Sequence, residues 1–144
     1  MIYYHATPAC RVESIIRDNK IIPTTSETML YPDSDYSRTT LGYVYLTTDI
    51  DKALDFGSRT MSKNAEMPIG IFEIDIPSDD VEKDLDELKF DPSSETEYRV
   101  KYTLILGKHV KRYAFPVFHS YDELCNIMES KQTRKFLEDK WITL

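Results

Sequence analysis

Apolar and polar residues alternate along several short segments of the chain, which predicts strands that are separated by short helices. In residues 69–76 the apolar Phe72 and Ile74 alternate with acidic residues, a period of two that predicts a half-exposed strand. Residues 97–106 alternate in the same way and place Glu97 on the polar side of their strand. Further strands are predicted from runs of β-branched and aromatic residues at 2–5, 42–47 and 111–118.

Apolar residues at helical spacing predict four helices between and after these strands. Each follows a residue whose side-chain oxygen is suited to the N-cap, where it accepts a hydrogen bond from the first helical turn. The first helix is expected to begin at Thr7 and Pro8, with proline at its first position, and to end near residue 18. The other predicted starts are at Thr48, Ser78 and Ser120.

The predicted elements follow in the order β-α-β-α-β-α-β-β-α, which indicates an α+β fold. No internal repeat or linker divides the chain, so we expect one domain over residues 1–144, with a C-terminal helical extension over residues 119–144. Residues 24–40 are rich in hydroxyl, acidic and turn-forming residues and show no periodicity. They are predicted to form a long loop, of a kind that is usually functional or mobile.

Composition and charge exclude several classes of protein. The 18 Lys+Arg and 25 Asp+Glu give a net charge of −7, which would repel a phosphate backbone and disfavours a broad nucleic-acid-coating role unless the basic residues cluster. No apolar run reaches the roughly 18–20 residues that span a bilayer, and the N-terminal residues lack the pattern of a signal peptide, so no membrane partner is expected. The two cysteines form no CxxC, which excludes a disulfide framework and a zinc site. The four glycines form neither GxGxxG nor GxxxxGK[ST], which excludes the common nucleotide-binding loops.

Three local groupings carry residues that could do chemistry. They are YHAT at residues 4–7, GYVYLT at 42–47 followed by ALDF at 53–56, and ETEY at 95–98. Each has a plain structural explanation when it is taken alone. A histidine at a strand end often satisfies a backbone group, aromatic residues on a strand are usually core, and an acidic strand end is usually solvated.

Taken in order, the three groupings resemble one family. YYHATP, GYVYLTTDIDKALDFG and TEYRVKY, spread over residues 2–106, are similar to the ADP-ribosyltransferase fold of the His-Tyr-Glu class. That class includes the poly(ADP-ribose) polymerase catalytic domains and the diphtheria-type toxins. The resemblance implies two packed, mainly antiparallel sheets flanked by helices, with NAD as co-substrate and no metal.

The resemblance also implies roles for the residues of a catalytic site. His5 would orient a ribose hydroxyl of NAD, the backbone of Ala6 would grip the nicotinamide carboxamide, and Thr7 would lie beside them. Tyr45 would stack on the nicotinamide ring, since aromatic faces attract a flat cation. Glu97 matches the catalytic glutamate, which would stabilise the positive charge that develops on the ribose as its bond to nicotinamide breaks.

Four further residues are candidates at the edge of this site. Phe56 would form the wall opposite Tyr45, although it lies one residue further along the helix than in the polymerases. Arg38, or alternatively Arg11, would meet the pyrophosphate, because a guanidinium suits phosphate oxygens. Glu95 would position the acceptor, as a glutamate two residues before the catalytic one does in arginine-modifying members; it could equally be an ordinary loop residue.

The expected function is therefore mono-ADP-ribosyl transfer to a macromolecule by a cytoplasmic bacterial or phage effector, such as a toxin or an anti-defence protein. The acidic charge favours a protein acceptor. A nucleic-acid acceptor stays open, because four basic residues lie between Lys101 and Arg112. Two alternatives remain: a catalytically silent module that binds NAD, ADP-ribose or a protein, and an RNA 2′-phosphotransferase.

Overall fold

The computed structural model of the protein describes residues 1–25, 41–59 and 61–144. Within these ranges the strands are β1 (Ile2–Pro8), β2 (Lys20–Ile21), β3 (Val44–Thr47), β4 (Met67–Asp75), β5 (Glu82–Lys83), β6 (Glu97–Val100), β7 (Leu104–Ile105), β8 (Val110–Ala114), β9 (Val117–Phe118) and β10 (Ile142–Thr143). The helices are α1 (Ala9–Asp18), α2 (Ile50–Ser58), α3 (Leu85–Leu88), α4 (Tyr121–Glu129) and α5 (Thr133–Leu137), with a 3₁₀ turn at Ser78–Asp80.

Eight of these strands form one sheet in the order β10-β8-β4-β1-β3-β6-β5, with β9 pairing beside it on β4. The strands of this sheet pair antiparallel, and β2 and β7 form a second, two-stranded antiparallel sheet. The predicted α+β class is confirmed, with a large, mainly antiparallel sheet, a small second sheet and several helices.

Both faces of the large sheet are covered, and each carries its own hydrophobic core. On one face, Val12 of α1 and Leu104 of β7 pack in a cluster with Phe72 and Ile74 of β4. On the other face, α2, α4 and α5 pack against the remaining apolar residues of β4, and Leu54 of α2 is fully buried there. The prediction of a half-exposed strand at residues 69–76 is therefore wrong for residues 69–72, which are buried on both faces, and is confirmed at Asp75, which is exposed beside the buried Ile74.

The first strand is longer than predicted, and the first helix starts later. β1 pairs with β4 as far as Pro8, which faces Ile69. Because Thr7 and Pro8 are held in this ladder, α1 begins at Ala9 and has no side-chain N-cap. The prediction that Thr7 caps this helix is therefore wrong.

Two other predicted helix starts shift by a few residues. α2 is capped by Asp49 and not by Thr48, since the Asp49 carboxylate accepts hydrogen bonds from the backbone N–H groups of residues 51 and 52. The predicted helix after Ser78 is replaced by a 3₁₀ turn, the short strand β5 and then α3, which is capped by Asp84. Of the three helices predicted after the first, only the last starts where it was predicted. There the hydroxyl oxygen of Ser120 accepts a hydrogen bond from the backbone N–H of Glu123.

The last two predicted strands and the last predicted helix are interrupted. The segment 97–106 divides into β6 and β7, which belong to different sheets, and the segment 111–118 divides at Pro116 into β8 and β9. Lys131 has a φ of 57°, a conformation that ends α4 and separates it from α5. The chain then returns to the large sheet as β10, which pairs with β8. Among the described residues no helix is both long and apolar enough to cross a membrane.

Candidate active site in the cleft between two strands

A cleft opens in the large sheet where β1 and β3 part. These strands share a single registered pair, Tyr4 with Thr47, whereas β3 and β6 stay paired over four residues. From this pair towards His5 on β1 and Tyr45 on β3 the two strands are no longer in register, and residues of both line a cleft of about 180 Å³. A second cleft of about 200 Å³ adjoins it on the side of α1 and shares His5 and Arg11 with it.

His5 lies at the junction of the two clefts. Its Nδ1 is 2.8 Å from the backbone oxygen of Tyr45. A carbonyl oxygen can only accept, so Nδ1 carries the proton and donates it, which leaves Nε2 as an acceptor. Burial lowers the pKa of His5, and the charge of Arg11 lowers it further. The hydrogen bond to Tyr45 raises the pKa but does not outweigh these effects. The imidazole is thus held neutral, with a fixed orientation and with Nε2 as an acceptor nitrogen.

Tyr45 contributes an aromatic wall to the cleft. Its hydroxyl donates a hydrogen bond of 2.6 Å to the carboxylate of Asp86 on α3. Tyr43, two residues earlier, lines the second cleft and has the guanidinium of Arg99 3.9 Å from its ring centroid. Tyr43 and Tyr45 therefore have different surroundings.

Glu97 begins β6 and faces Thr47 across the β3–β6 ladder. Its side chain is 3% exposed, so this carboxylate is buried and does not lie on a solvated face. The oxygen Oε1 accepts from Thr96 Oγ1 at 2.9 Å and pairs with Lys52 Nζ at 3.0 Å. The oxygen Oε2 is buried and has no hydrogen-bond partner among the described residues, although buried polar atoms are usually satisfied.

The same ion pair also shifts the pKa of Lys52. Partial burial acts to lower its pKa, but the hydrogen bond and the charge of Glu97 outweigh that effect and raise it. Lys52 is therefore charged at neutral pH and neutralises much of the Glu97 charge. Oε2, which has no partner among the described residues, keeps the capacity to accept a charge-assisted hydrogen bond.

Ala6, Thr7 and Phe56, which the resemblance assigns to ligand binding, also line the cleft. Helix α2 comes very close to β1 at Gly57, where an added Cβ would lie 3.0 Å from the Cβ of Ala6. This close approach places Phe56, the residue before Gly57, at the cleft. The guanidinium of Arg59 lies 4.0 Å from the centroid of the Phe56 ring and also lines the cleft.

One predicted site residue lies outside the cleft, and another lies outside the part of the chain that the structure describes. Glu95 is exposed and is not among the lining residues, and its backbone oxygen accepts from the hydroxyl of Tyr98. Arg38 lies outside the residues that the structure describes. The alternative candidate Arg11 lies at the junction of the two clefts.

Helix α3 and its N-cap residue supply three acidic residues that the sequence-based prediction missed. Asp84, Asp86 and Glu87 line the cleft opposite the strands. Burial raises the pKa of Asp84 to about 6. The hydrogen bonds that its carboxylate accepts from two backbone N–H groups act in the opposite direction and lower the pKa. Burial also raises the pKa of Glu87. The spacing Asp-x-x-Glu at residues 84–87 is a helix-start pattern that could have located this helix.

The arrangement can hold a planar ring against Tyr45, orient a hydroxyl at His5 and present a carboxylate oxygen of Glu97. A carboxylate in this position can stabilise positive charge that develops on a bound sugar. No group of three or more His, Cys, Asp or Glu residues that could hold a metal ion occurs in the described ranges. No family model, curated protein or solved structure matches this chain.

Proposed function

We propose that this protein is an NAD-dependent mono-ADP-ribosyltransferase, which cleaves NAD between nicotinamide and ribose and transfers ADP-ribose to a macromolecule. The observation that carries the proposal is the meeting of His5, Tyr45 and Glu97 in one cleft. They lie on three strands and are far apart in the sequence, yet the resemblance in their local motifs assigns all three to the same reaction.

The contacts of these residues fit the bond that would break. Oε2 of Glu97, which has no hydrogen-bond partner within the described ranges, would accept a hydrogen bond from a ribose hydroxyl and stabilise the oxocarbenium-like transition state. Nε2 of His5 would accept from a second hydroxyl. The electron pair of the broken C–N bond stays on the nicotinamide nitrogen, and the acceptor forms the new bond to the ribose carbon and loses a proton.

The two adjoining clefts suit the elongated shape of the co-substrate. Nicotinamide would lie against Tyr45, with Phe56 across the cleft, and the pyrophosphate would extend past His5 towards Arg11. A guanidinium there can pair with phosphate oxygens. This assigns the nicotinamide to the α3 side and the adenosine to the α1 side.

The acceptor in this proposal is a protein, and the setting is the cytoplasm of a producing or infected bacterial cell. The net charge of −7 and the acidic residues of α3 at the cleft disfavour a polyanion. A nucleic-acid acceptor is the competing outcome. Digestion of the modified product with nuclease and, separately, with protease distinguishes the two.

The test combines labelled NAD with a cell lysate and measures both the labelled product and free nicotinamide. Glu97→Gln keeps the size of the side chain and removes its charge. We expect it to lower both signals by at least about a hundredfold, a loss of the size found when one transition-state contact is removed. Glu66→Gln, at an exposed glutamate in the loop before β4, is the matched control and should retain both. Full nicotinamide release by Glu97→Gln would overturn the proposal.

The ion pair of Glu97 favours one competing function, a module that binds NAD or ADP-ribose without cleaving it. Lys52 occupies Oε1 at 3.0 Å, as it would if the carboxylate had a structural role. In that case the wild-type protein would bind NAD and release no nicotinamide. The same assay therefore separates the two functions.

A further inference from the structure

One contact links the two sides of the cleft. The hydroxyl of Tyr45 on β3 donates to a carboxylate oxygen of Asp86 on α3 over 2.6 Å. This distance is typical of a hydrogen bond between a hydroxyl and an ionised carboxylate, which is stronger than one between neutral groups. A negative charge is thus held at the end of an aromatic ring that lines the cleft.

The position of Asp86 is itself fixed by further hydrogen bonds. The carboxylate of Asp84 accepts from the backbone N–H of Asp86 at 3.0 Å and from that of Glu87 at 3.1 Å. The backbone N–H of Asp84 donates to the backbone oxygen of Glu97 at 3.2 Å. Helix α3 is therefore joined to the strand that carries Glu97, and Asp86 is held in place relative to the rest of the site.

Charges of both signs surround Tyr45. Asp84, Glu87 and Glu97 line this part of the cleft along with Asp86. The cations near them include Arg11 and Arg59, which line the cleft, Lys52, and Arg99, which faces Tyr45 across the β3–β6 ladder. Lys52 is engaged with Glu97 at 3.0 Å, Arg99 with Glu82 at 2.9 Å, and the guanidinium of Arg59 lies over the ring of Phe56. Asp86 contacts the Tyr45 side chain directly, so its charge acts on that ring at short range.

A tyrosine that donates to a carboxylate is a better partner for a cation than an isolated one. The bond polarises the hydroxyl and shifts electron density towards the ring, whose face already attracts positive charge. The carboxylate adds its own attraction, and it acts more strongly in a partly buried cleft than it would in water. Both effects discriminate between rings of the same shape that differ in charge.

We propose that the Tyr45–Asp86 pair makes this end of the cleft selective for a planar aromatic cation, with Asp86 as the positioning residue that acts through Tyr45. The inference deepens the proposed function and rests on it for the identity of the natural ligand. The ring would be the nicotinamide of NAD, which is cationic before cleavage and neutral afterwards. The site would hold the substrate ring more tightly than the reduced co-substrate or the released product.

The experiment uses two small probes, 1-methylnicotinamide as the cation and nicotinamide as the neutral ring, and measures their dissociation constants by calorimetry. The wild-type protein should bind the cation more tightly. Asp86→Asn removes the charge but keeps an oxygen that can accept from Tyr45, so the preference should fall by about two- to fivefold. Binding of neutral nicotinamide should stay unchanged. Asp79→Asn, at an exposed residue of the 3₁₀ turn, is the matched control.

Tyr45→Phe supplies a second variant, which keeps the ring and removes the hydrogen bond. If Asp86 acts through Tyr45, then Asp86→Asn should lower the preference much less in the Tyr45→Phe background than in the wild type. Full additivity of the two changes would overturn this role.

Three results would overturn the proposal. They are an equal preference for the cationic probe in wild type and Asp86→Asn, an equal loss of affinity for both probes in Asp86→Asn, and no preference for the cationic probe in the wild type. Failure of the proposed function looks different. It would appear as a lack of nicotinamide release from NAD, while the probe preference and its dependence on Asp86 persisted.

Discussion

The two walls of the cleft are built in different ways. The strand wall carries His5, Tyr45 and Glu97 on β1, β3 and β6, whose backbones are fixed by the hydrogen-bonded ladders of the large sheet. The opposite wall is α3, a helix of four residues that is held by side-chain and capping hydrogen bonds. Backbone ladders do not change with protonation, whereas carboxylates do. The strand wall thus provides fixed geometry, and the α3 wall provides charge that can titrate.

The two walls also differ in how deeply the apolar side chains beside them are buried. Leu54, which packs behind the strand wall on α2, is 0% exposed, whereas Leu85 at the start of α3 is 55% exposed. The strand wall is therefore part of the hydrophobic core. The α3 wall adds little apolar burial of its own, and its contribution to stability comes from polar contacts.

The largest expected effect tests this difference directly. Leu54→Ala should lower the free energy of unfolding by about 2–5 kcal/mol, because it leaves a cavity between α2 and the sheet. Leu85→Ala should change it by less than about 0.5 kcal/mol, since that side chain is mostly in solvent. Urea denaturation of both variants checks the prediction. Similar losses in the two would show that α3 is as much a part of the core as α2.

The second effect concerns ligand binding within the strand wall. Tyr45→Ala should weaken NAD binding by about tenfold, which corresponds to the loss of one stacking and cation–π contact of roughly 1.4 kcal/mol. Tyr43→Ala should weaken it much less, because Arg99 covers the Tyr43 ring. Titration calorimetry with NAD compares the two variants. Equal affinities would contradict the assignment of Tyr45 to the nicotinamide ring.

The smallest effect is a pH dependence that arises in the α3 wall. Burial raises the pKa of Asp84 to about 6 from its ordinary value of 3.8, so the folded protein binds this proton more tightly than the unfolded chain. The contribution of Asp84 to stability should therefore fall as the pH rises from about 4 to about 6, and stay low above that. Asp84→Asn keeps the capping oxygen Oδ1, which accepts both N–H groups, and removes the charge.

We therefore expect Asp84→Asn to be more stable than the wild type at pH 8 and equal to it near pH 4, as measured by urea denaturation at both values. Asp49→Asn makes the same change at the cap of α2 and is the matched control. A stability difference that is the same at both pH values would contradict a titrating Asp84.

Local patterns in the sequence were enough to locate most of the strand wall. The β-branched and aromatic runs placed His5 and Tyr45 on strands, and the alternation around Glu97 placed it at the start of one. They could not show that Glu97 is buried. Its burial depends on Lys52 from α2, which is 45 residues earlier in the chain and comes within 3.0 Å of it only after folding.

The α3 wall was predicted less well. Apolar residues at helical spacing predict one helix from Ser78, but β5 pairs with β6 and interrupts it. The same competition decided the first helix, where pairing with β4 extended β1 through Thr7 and Pro8. In both places a local preference for helix was overridden by hydrogen bonds to a strand that is distant in the sequence.

The sequence by itself determined the α+β class, the strands that carry the candidate chemistry and the cap of α4 at Ser120, because these depend on side-chain pattern and on contacts within a few residues. Tertiary structure alone decided that β1 and β3 part to open a cleft, that α3 closes its far side and that Asp86 meets Tyr45. These features need strand order and long-range pairing, which join residues that no local pattern connects. The shape and charge of the site were therefore set by the tertiary structure, while His5, Tyr45 and Glu97 were already visible along the chain.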